Sequence, residues 1–447
     1  MPVEPTPAVA AILWRPRGDG FELYLAKRAP GVRFFGGFWS LPGGGVEPSD
    51  GGDVQACARE VREETGVDVG VDVTRFSDAG RWVTPSFSPI RFDARYYLVQ
   101  CPDGAEPDHT LSGGEHVDGA WTTPTEALAK WAAAEWLIPF PIVRVLQALE
   151  PGIDGAAERC VRQAEIETSS PRIWELVPGV ARCPVRTPTL PPATHTNCYV
   201  IGSRDVVVID PASPYADERA ALDDALSHWA DRGRRVVEIW LTHHHPDHVG
   251  GAAYLAGRLG VPVAAHPVTA ELVAPQIRVD RTIEDGDVYE IAGDPLRRLR
   301  AVFTPGHAPG HLCFFEETTG LLIAGDMVAS IGTIIVDPDE GDMQKYLDSL
   351  ALMKTLTARA LLPAHGGAIT DANGKLDEYI EHRLWREDRV FRALAARGSA
   401  TAAELVPPVY SDVPPKLFPL AERSLIAHLI KLANDGRIAR DGARWVL

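Results

Sequence analysis

The sequence predicts a multidomain α/β protein, and three observations support this prediction. The chain has 447 residues, which is enough for two to four domains at roughly 100–200 residues per domain. Short strand-like runs alternate with Gly-rich turns and helices as far as residue 370, the pattern of α/β sandwiches. Beyond this point the chain becomes helical and ends in two short strands around an Asp-Gly turn, which favours a small winged-helix domain.

Changes in sequence character divide the chain into three predicted domains. Residues 1–150 combine strand-like runs with a helix near residues 53–65. Residues 151–172 contain Pro-Gly-Ile-Asp-Gly and Glu-Thr-Ser-Ser-Pro and are predicted to be a linker. Residues 173–370 repeat strand, turn and helix, and residues 371–447 form the predicted winged-helix domain.

Composition narrows the class of protein. With 45% apolar and 23% charged residues, the chain is typical of globular proteins rather than disordered ones. The net charge of −17 disfavours non-specific adhesion to nucleic acid. The apolar run at residues 8–14 is too short for a membrane span, and the six cysteines have no CxxC spacing, as is typical of a reducing compartment. We therefore expect a cytoplasmic protein with no membrane partner.

Three glutamates share one face of the first predicted helix. Glu60, Glu63 and Glu64 stand at positions i, i+3 and i+4, so their carboxylates repel one another. A divalent cation such as Mg²⁺ or Mn²⁺ would convert this repulsion into coordination, because hard cations prefer oxygen ligands. The alternative is a solvated acidic helix in which Arg59 and Arg62 are the ion-pair partners.

Residues 43–67 resemble the Nudix box. Residues 59–67, Arg-Glu-Val-Arg-Glu-Glu-Thr-Gly-Val, fit its second half. The first half departs from the pattern, because Gly51 occupies the position of the first glutamate. The nearest acid is Asp50, which indicates a one-residue insertion. The resemblance implies a Nudix α/β/α sandwich that cleaves diphosphates with Mg²⁺ or Mn²⁺, its metal ligands being Glu60, Glu63 and Glu64, of which Glu63 and Glu64 are predicted to be catalytic.

A second resemblance lies just upstream of the box. Residues 25–44 are similar to the extended signature of coenzyme A pyrophosphohydrolases. This similarity implies that Arg28 and Arg33 bind substrate phosphates, for which the forked donors of arginine are suited. Gly43 and Gly44 are predicted to lie in a flexible loop whose backbone amides approach a phosphate. Alternatively, both arginines are exposed loop charges.

A dense cluster of histidines follows a predicted buried strand. Residues 242–248 read Thr-His-His-His-Pro-Asp-His, and core packing does not explain four imidazoles and a carboxylate in so short a segment. His307, Asp326 and His365 occupy turns that follow later strands. Mixtures of histidine and aspartate are typical of catalytic zinc sites that keep a coordination position open for water.

These residues resemble the five recurrent motifs of the metallo-β-lactamase superfamily. The resemblance implies an αβ/βα sandwich over residues 173–370 with two zinc ions that share a hydroxide nucleophile. His243, His245 and His307 would bind one ion. Asp247, which is also predicted to be catalytic, would bind the other ion together with His248 and His365, and Asp326 would bridge both ions. Asp210 would orient the histidine loop, whereas His244 is predicted to be a surface residue.

The C-terminal residues 373–447 resemble the winged helix of the β-lactamase-like-protein-2 group, some of whose members resemble single-strand-specific ribonucleases. Arg437, Arg440 and Arg444 would form a basic wing. The alternative is that this domain only packs on the hydrolase domain and walls its cleft.

These observations together predict a bifunctional metallohydrolase. Its Nudix domain would cleave CoA or a nucleoside-diphosphate-type substrate, and its binuclear zinc site would cleave a thioester or a phosphodiester. The expected partner is therefore a small-molecule phosphate or thioester, with RNA as an alternative, and the sequence leaves oligomerisation open. A different hypothesis is a single-strand ribonuclease with a degenerate regulatory Nudix domain, which Gly51 supports.

Overall fold

A computed structural model describes residues 4–88, 90–168 and 173–447. The chain forms two compact units, one of Met1–Pro184 with Ala220–Gly233 and one of Val185–Arg219 with Arg234–Leu447. No helix within the described ranges combines the length and the apolar character that crossing a membrane requires.

The first unit is built on a mixed seven-stranded sheet. Its strands are β1 (Thr6–Arg17), β2 (Gly20–Arg28), β3 (Trp39–Ser40), β4 (Gly43–Gly45), β5 (Phe76–Val83), β6 (Phe92–Gln100) and β7 (His116–Thr122). Its helices are α1 (Asp53–Thr65), α2 (Pro124–Ala132), α3 (Phe140–Leu149) and α4 (Ala156–Thr168), and a hairpin of β8 (Trp174–Val177) and β9 (Val180–Arg186) follows. The strand order is β3-β2-β1-β6-β5, with β4 paired to β1 and β7 paired to β2. Strands β1 and β6 are parallel.

Helix α1 packs its apolar face on this sheet. Cys57 and Val61 are buried in the same core as Val9 and Leu13 of β1, so the opposite face of the helix presents its glutamates. The helix ends at Gly66, whose φ of 74° is left-handed and whose N–H donates to the Arg62 carbonyl oxygen. Glycine adopts this conformation without strain.

The prediction of a linker at residues 151–172 needs correction, because α4 occupies most of it. Ala156, Cys160 and Ala164 recur every fourth residue and are buried, which gives the helix one continuous apolar stripe. The stripe lies against β5, where a Cβ on Gly80 would be 2.9 Å from the Ala164 Cβ. The small residues on both surfaces allow this close approach. Residues 169–172 lie outside the described ranges.

The prediction of a flexible glycine loop also needs correction, because Gly43 and Gly44 belong to β4 and pair with Val9 and Ala10 of β1. A Cβ on Gly43 would lie 2.2 Å from the Val9 carbonyl oxygen, and a Cβ on Gly44 would lie 2.7 Å from the Glu60 carboxylate. A side chain at Gly43 would therefore collide with the backbone of β1, whereas one at Gly44 would displace the end of the Glu60 side chain.

The second unit contains two larger sheets. One has the order β14-β13-β12-β11-β10 and the other the order β15-β16-β17-β18-β19. The strands of the first are β10 (His195–Ile201), β11 (Asp205–Ile209), β12 (Arg235–Trp240), β13 (Val263–Ala265) and β14 (Arg281–Thr282). Those of the second are β15 (Val288–Ile291), β16 (Arg297–Phe303), β17 (Leu312–Glu316), β18 (Leu321–Gly325) and β19 (Ala360–Pro363). The helices in this part of the chain are α5 (Ala216–Ala230), whose residues from Ala220 onward belong to the first unit, α6 (Pro246–Val249), α7 (Ala252–Leu259), α8 (Pro267–Val273) and α9 (Met343–Thr355).

Parallel strand pairs in the two sheets place the predicted ligands. Strands β11 and β12 are parallel, as are β18 and β19. Asp210 directly follows β11, the histidine loop follows β12, and Asp326 directly follows β18. Polar residues at the carboxyl ends of parallel neighbouring strands meet at one edge of a sheet. These turns are therefore positioned to form a binding site.

The C-terminal part contains α10 (Ala372–Ala395), α11 (Ala402–Val409), α12 (Phe418–Asn434) and a small sheet of β20 (Ser399–Ala400), β22 (Arg444–Val446) and β21 (Ala439–Asp441). Helix α10 belongs to two cores. Leu376 and Tyr379 are buried with the hydrolase residues, whereas Val390 and Leu394 are buried with α11 and α12. The predicted winged-helix elements are thus present, and they share one compact unit with the hydrolase domain.

Candidate functional sites

Three imidazole nitrogens converge beside the end of β12. His243 Nε2 lies 2.9 Å from His245 Nδ1, and the latter lies 3.0 Å from His307 Nε2. The His243 and His307 side chains are buried, whereas that of His245 is 20% exposed. Burial lowers the pKa of His307 to about 4 and that of His243 well below its usual value. Both rings are therefore neutral at pH 7.

The outer nitrogen of two of these rings is fixed as a donor. His307 Nδ1 donates to the Ile335 carbonyl oxygen over 2.8 Å. Thr242 Oγ1 gives its proton to Asp210 Oδ2 over 2.6 Å and therefore accepts from His243 Nδ1 at 3.0 Å. The inner nitrogens, His243 Nε2 and His307 Nε2, consequently carry lone pairs.

The outer nitrogen of the third ring, His245, is also held as a donor. Its partner is Glu340, a residue that the sequence analysis did not identify. His245 Nε2 lies 2.7 Å from Glu340 Oε1, and His244 Nε2 lies 2.8 Å from Glu340 Oε2. These hydrogen bonds hold the pKa of the Glu340 carboxyl well below its usual range. Because an ionised carboxylate only accepts, His245 Nε2 is the donor and Nδ1 presents its lone pair. Three lone pairs thus face one point, which favours a bound cation.

Asp326 lies between this group of three histidines and a second group of predicted ligands. Its Oδ2 lies 3.6 Å from His307 Nε2, and its Oδ1 lies 3.5 Å from His248 Nε2 and 3.4 Å from His365 Nε2. Asp247 Oδ2 is 3.7 Å from His365 Nε2. The structure therefore brings all seven predicted ligands of the second unit into two adjoining groups with Asp326 between them.

The second group also has its outer nitrogens occupied. His248 Nδ1 lies 2.8 Å from Asp210 Oδ2, and His365 Nδ1 lies 3.1 Å from the His195 carbonyl oxygen. Two inward atoms, His248 Nε2 and Asp326 Oδ1, are buried without a hydrogen-bond partner among the described residues. Buried polar atoms are normally satisfied, and nitrogen and carboxylate donors in this arrangement suit zinc. The residues present therefore fit a pair of metal ions.

Two residues position the ligands from outside. Asp210 adopts a φ of 50°, which is unusual for a non-glycine residue, and its Oδ1 accepts from the Thr242 N–H over 2.8 Å. His311 Nε2 accepts from the Asp326 N–H over 3.0 Å, while its Nδ1 lies 2.9 Å from Thr304 Oγ1. The second Pro-Gly-His of the run at residues 305–311 was the signal for His311, whereas Glu340 lies among other acidic residues of its loop and nothing in the sequence distinguished it.

The prediction that His244 is a surface residue needs correction. Its side chain is only 15% exposed and contacts Glu340. The proline that follows His245 starts the short helix α6, so the preceding loop turns both rings toward the same carboxylate.

In the first unit, Arg59 organises the acidic face of α1. It donates to Asp50 Oδ1 over 2.7 Å and, through Nη1, to one oxygen each of Glu60 and Glu63 at 2.9 Å. Asp50 is thus bound to Arg59 rather than directed toward a metal. The Glu60 carboxylate is largely buried, whereas Glu63 is 56% exposed.

Glu64 is buried and lies beside β4 and β7. Its Oε2 accepts from the Gly43 N–H over 2.8 Å, and its Oε1 lies 4.0 Å from His116 Nε2. Burial raises the pKa of Glu64 to about 8. Within the described residues, the groups of three ligand atoms that lie within 4.8 Å of one another are all in the second unit. The carboxylates of Glu60, Glu63 and Glu64 therefore do not converge on one point. A metal ion bound by these three glutamates stays a prediction.

The predicted substrate-binding residues differ in their surroundings. Arg28 is mostly buried and pairs with Glu115, whereas Arg33 is exposed. The Gly43 N–H is already used by Glu64. Of the predicted phosphate contacts, Arg33 is therefore the most accessible, and Arg28 is already paired with a carboxylate.

Family models match three segments of the chain. Residues 4–140 match the NUDIX domain, residues 191–365 match the metallo-β-lactamase superfamily, and residues 401–445 match the β-lactamase-associated winged helix domain. These matches agree with the predicted families, and the predicted fold class is confirmed.

Individual proteins are also similar to this chain. An atrochrysone carboxyl ACP thioesterase from Aspergillus chevalieri is 31% identical over 278 residues, which cover 60% of this chain and 85% of the relative. A lactamase-like protein from Penicillium aethiopicum is 30% identical over 279 residues, with the same coverage of 60% and 85%. The crystal structure of a metallo-β-lactamase family protein from Thermus thermophilus is 29% identical, with a TM-score of 0.51, and the match covers 61% of this chain and 99% of that one.

Proposed function

Because the chain belongs to the metallo-β-lactamase superfamily and also carries a NUDIX domain, we propose that its second unit is a binuclear zinc hydrolase that cleaves thioesters. Both families typically bind divalent cations. The observation that carries this proposal is the set of five histidines whose outer nitrogens are held as donors, so that their inner nitrogens are directed into the two groups that adjoin Asp326.

In this proposal each ligand residue binds one of the two metal ions or both. His243, His245 and His307 would hold one ion, and Asp247, His248 and His365 would hold the other, with Asp326 shared. When bound, the ions supply Lewis acidity and an activated water at neutral pH. The surrounding acceptors fix each imidazole in the tautomer that ligation requires, which limits the reorganisation on binding.

A thioester is favoured over RNA by two observations. The Aspergillus relative is named as an acyl-carrier-protein thioesterase. The wing arginines are also partly neutralised, because Arg437 lies 3.6 Å from Glu387 and Arg444 lies 3.1 Å from Glu404. Nucleic-acid binding depends on free cationic groups that displace counterions from phosphates, and this wing offers few of them.

For the NUDIX domain we propose cleavage of a diphosphate of the CoA type. In support of this proposal, Asp50, which precedes Gly51, accepts two hydrogen bonds from Arg59 at 2.7 and 2.9 Å. A charged anchor for the start of α1 is therefore retained, which favours an active domain over a degenerate one.

The test uses the full chain with two substrates that separate the two sites. An S-acyl N-acetylcysteamine contains a thioester and no diphosphate, whereas CoA contains a diphosphate and no thioester. We expect zinc-dependent release of thiol from the first and Mg²⁺-dependent release of 4′-phosphopantetheine from the second. His245→Ala should abolish only the first reaction, and Glu63→Gln should abolish only the second.

The outcomes separate the alternatives. A protein that leaves the thioester intact but cuts single-stranded RNA, with loss of cutting in His245→Ala, would overturn the thioesterase proposal in favour of the ribonuclease. Absence of CoA cleavage, with zinc-dependent activity intact, would overturn only the proposal for the NUDIX domain.

A further inference from the structure

The loop of residues 334–340, which we name the acidic loop, joins two parts of the second unit. It lies between β18 and α9 and reads Ile-Ile-Val-Asp-Pro-Asp-Glu. On one side it contacts predicted metal ligands, because the Ile335 carbonyl oxygen accepts from His307 Nδ1 and Glu340 accepts from His245 Nε2. Both contacts hold the outer nitrogen of a histidine.

The other side of the acidic loop is held by the winged helix and by α10. Arg423, on α12, donates through Nε and Nη2 to Asp337 and through Nη2 to Asp339. Arg383, on α10, is 5% exposed and donates to the Ile334 carbonyl oxygen. Two arginines from C-terminal helices thus bind the segment that contacts two of the three histidines of the first group.

From these contacts we propose that Glu340 is a positioning residue for His245 and that Arg423 of the winged helix secures it through the acidic loop. The inference rests on the zinc site of the proposed function. It assigns the C-terminal domain a direct part in zinc affinity, beyond packing on the hydrolase domain or binding a substrate.

The geometry explains why a carboxylate is needed at this position. A 180° rotation of the His245 ring about the Cβ–Cγ bond would put Cδ2 in the place of Nδ1 and Cε1 in the place of Nε2, so a carbon would face His243 and His307. Glu340 favours one orientation, because its oxygen lies 2.7 Å from Nε2 and accepts the proton there. The second oxygen is held at 2.8 Å by His244, so the carboxylate itself cannot rotate freely. Nδ1 is consequently kept toward His243 and His307.

Partners of this kind typically change metal affinity by about 10- to 100-fold. The Glu340 side chain is 35% exposed and that of Arg423 is 42% exposed, so substitution at either position leaves the buried core intact. The effect on zinc binding is therefore separable from an effect on folding.

The experiment measures zinc affinity of the full chain by competition with a chromophoric chelator, beginning from metal-free protein. We expect Glu340→Ala to weaken binding of one of two zinc ions by about 10- to 100-fold, and Arg423→Ala to weaken the same ion in the same direction. Glu340→Gln keeps an acceptor oxygen and should bind more tightly than Glu340→Ala. The matched control is Arg444→Ala, whose side chain is 46% exposed and pairs with Glu404 away from the acidic loop, and its zinc affinity should equal that of wild type.

A second readout follows the ligands directly. The visible spectrum of the Co²⁺-substituted protein should change for one of the two ions in Glu340→Ala and in Arg423→Ala, and thermal unfolding of the metal-free variants should match wild type. Wild-type protein that binds two zinc ions, together with a Glu340→Ala variant of unchanged affinity and spectrum, would overturn this inference alone. Wild-type protein that binds no zinc would instead overturn the proposed function.

Discussion

Asp326→Asn is expected to reduce kcat/KM for thioester cleavage by about three orders of magnitude. Asp326 is 7% exposed and lies within 3.6 Å of a nitrogen from His248, His307 and His365, so it is the carboxylate that both histidine groups share. Asparagine keeps the shape but removes the charge. Metal ions contribute several kcal/mol to transition-state stabilisation, and each 1.36 kcal/mol is about tenfold in rate.

The measurement is initial-rate kinetics on the S-acyl N-acetylcysteamine at saturating zinc. Asp348→Asn on the exposed side of α9 is the matched control and should retain wild-type kinetics. An Asp326→Asn variant within tenfold of wild type would show that this carboxylate is not shared between metal ions.

Asp210→Ala is expected to lower the free energy of unfolding by about 3–5 kcal/mol and to prevent full zinc loading. Asp210 is 2% exposed and accepts from the backbone N–H and hydroxyl of Thr242 and from His248 Nδ1. Its removal leaves three buried donors without an acceptor, and each costs about 1–3 kcal/mol, not fully additively.

This prediction is measured by chemical unfolding of the metal-free chain and by zinc content after reconstitution. Asp205→Ala serves as the control, because Asp205 begins the same strand β11 but pairs with Arg235 near the surface. Such an ion pair contributes about 0–1 kcal/mol. Equal destabilisation by the two substitutions would contradict the role given to Asp210.

The families and the fold class were predictable because their signals are local. The histidine loop is one uninterrupted segment, and its companions His307, Asp326 and His365 each end or follow a strand. Strand ends are recognisable from apolar runs followed by Gly or Pro, and parallel neighbours carry such ends to one edge of a sheet. The order of strands and turns along the chain indicates that these residues can converge, and the resemblance to the metallo-β-lactamase motifs implied which of them share a metal ion.

The residues that position these ligands were not predictable in the same way. Glu340 lies 95 positions from His245 in a loop without periodicity, and its partner Arg423 lies on a helix of the last domain. Their association depends on tertiary packing through α10 and α12. His311 is the intermediate case, since it repeats the Pro-Gly-His of His307 and was still overlooked.

Two errors in the first unit have one physical cause. In α4 the buried stripe consists of Ala156, Cys160 and Ala164, and in β4 the strand consists of glycine alone. Small residues contribute little to a hydrophobic pattern. The Gly and Pro residues of both segments therefore predicted a linker and a loop instead of a helix and a strand. In each segment the small residues serve close packing against a neighbouring element, which only the folded structure reveals.

The most direct test of the account is the zinc content of the full chain, measured by elemental analysis and native mass spectrometry after reconstitution and removal of free metal. The convergence of inward ligand atoms on both sides of Asp326 predicts two zinc ions per wild-type chain, and fewer in His245→Ala. Fewer than one zinc ion per wild-type chain would contradict the binuclear site and the hydrolase proposed from it.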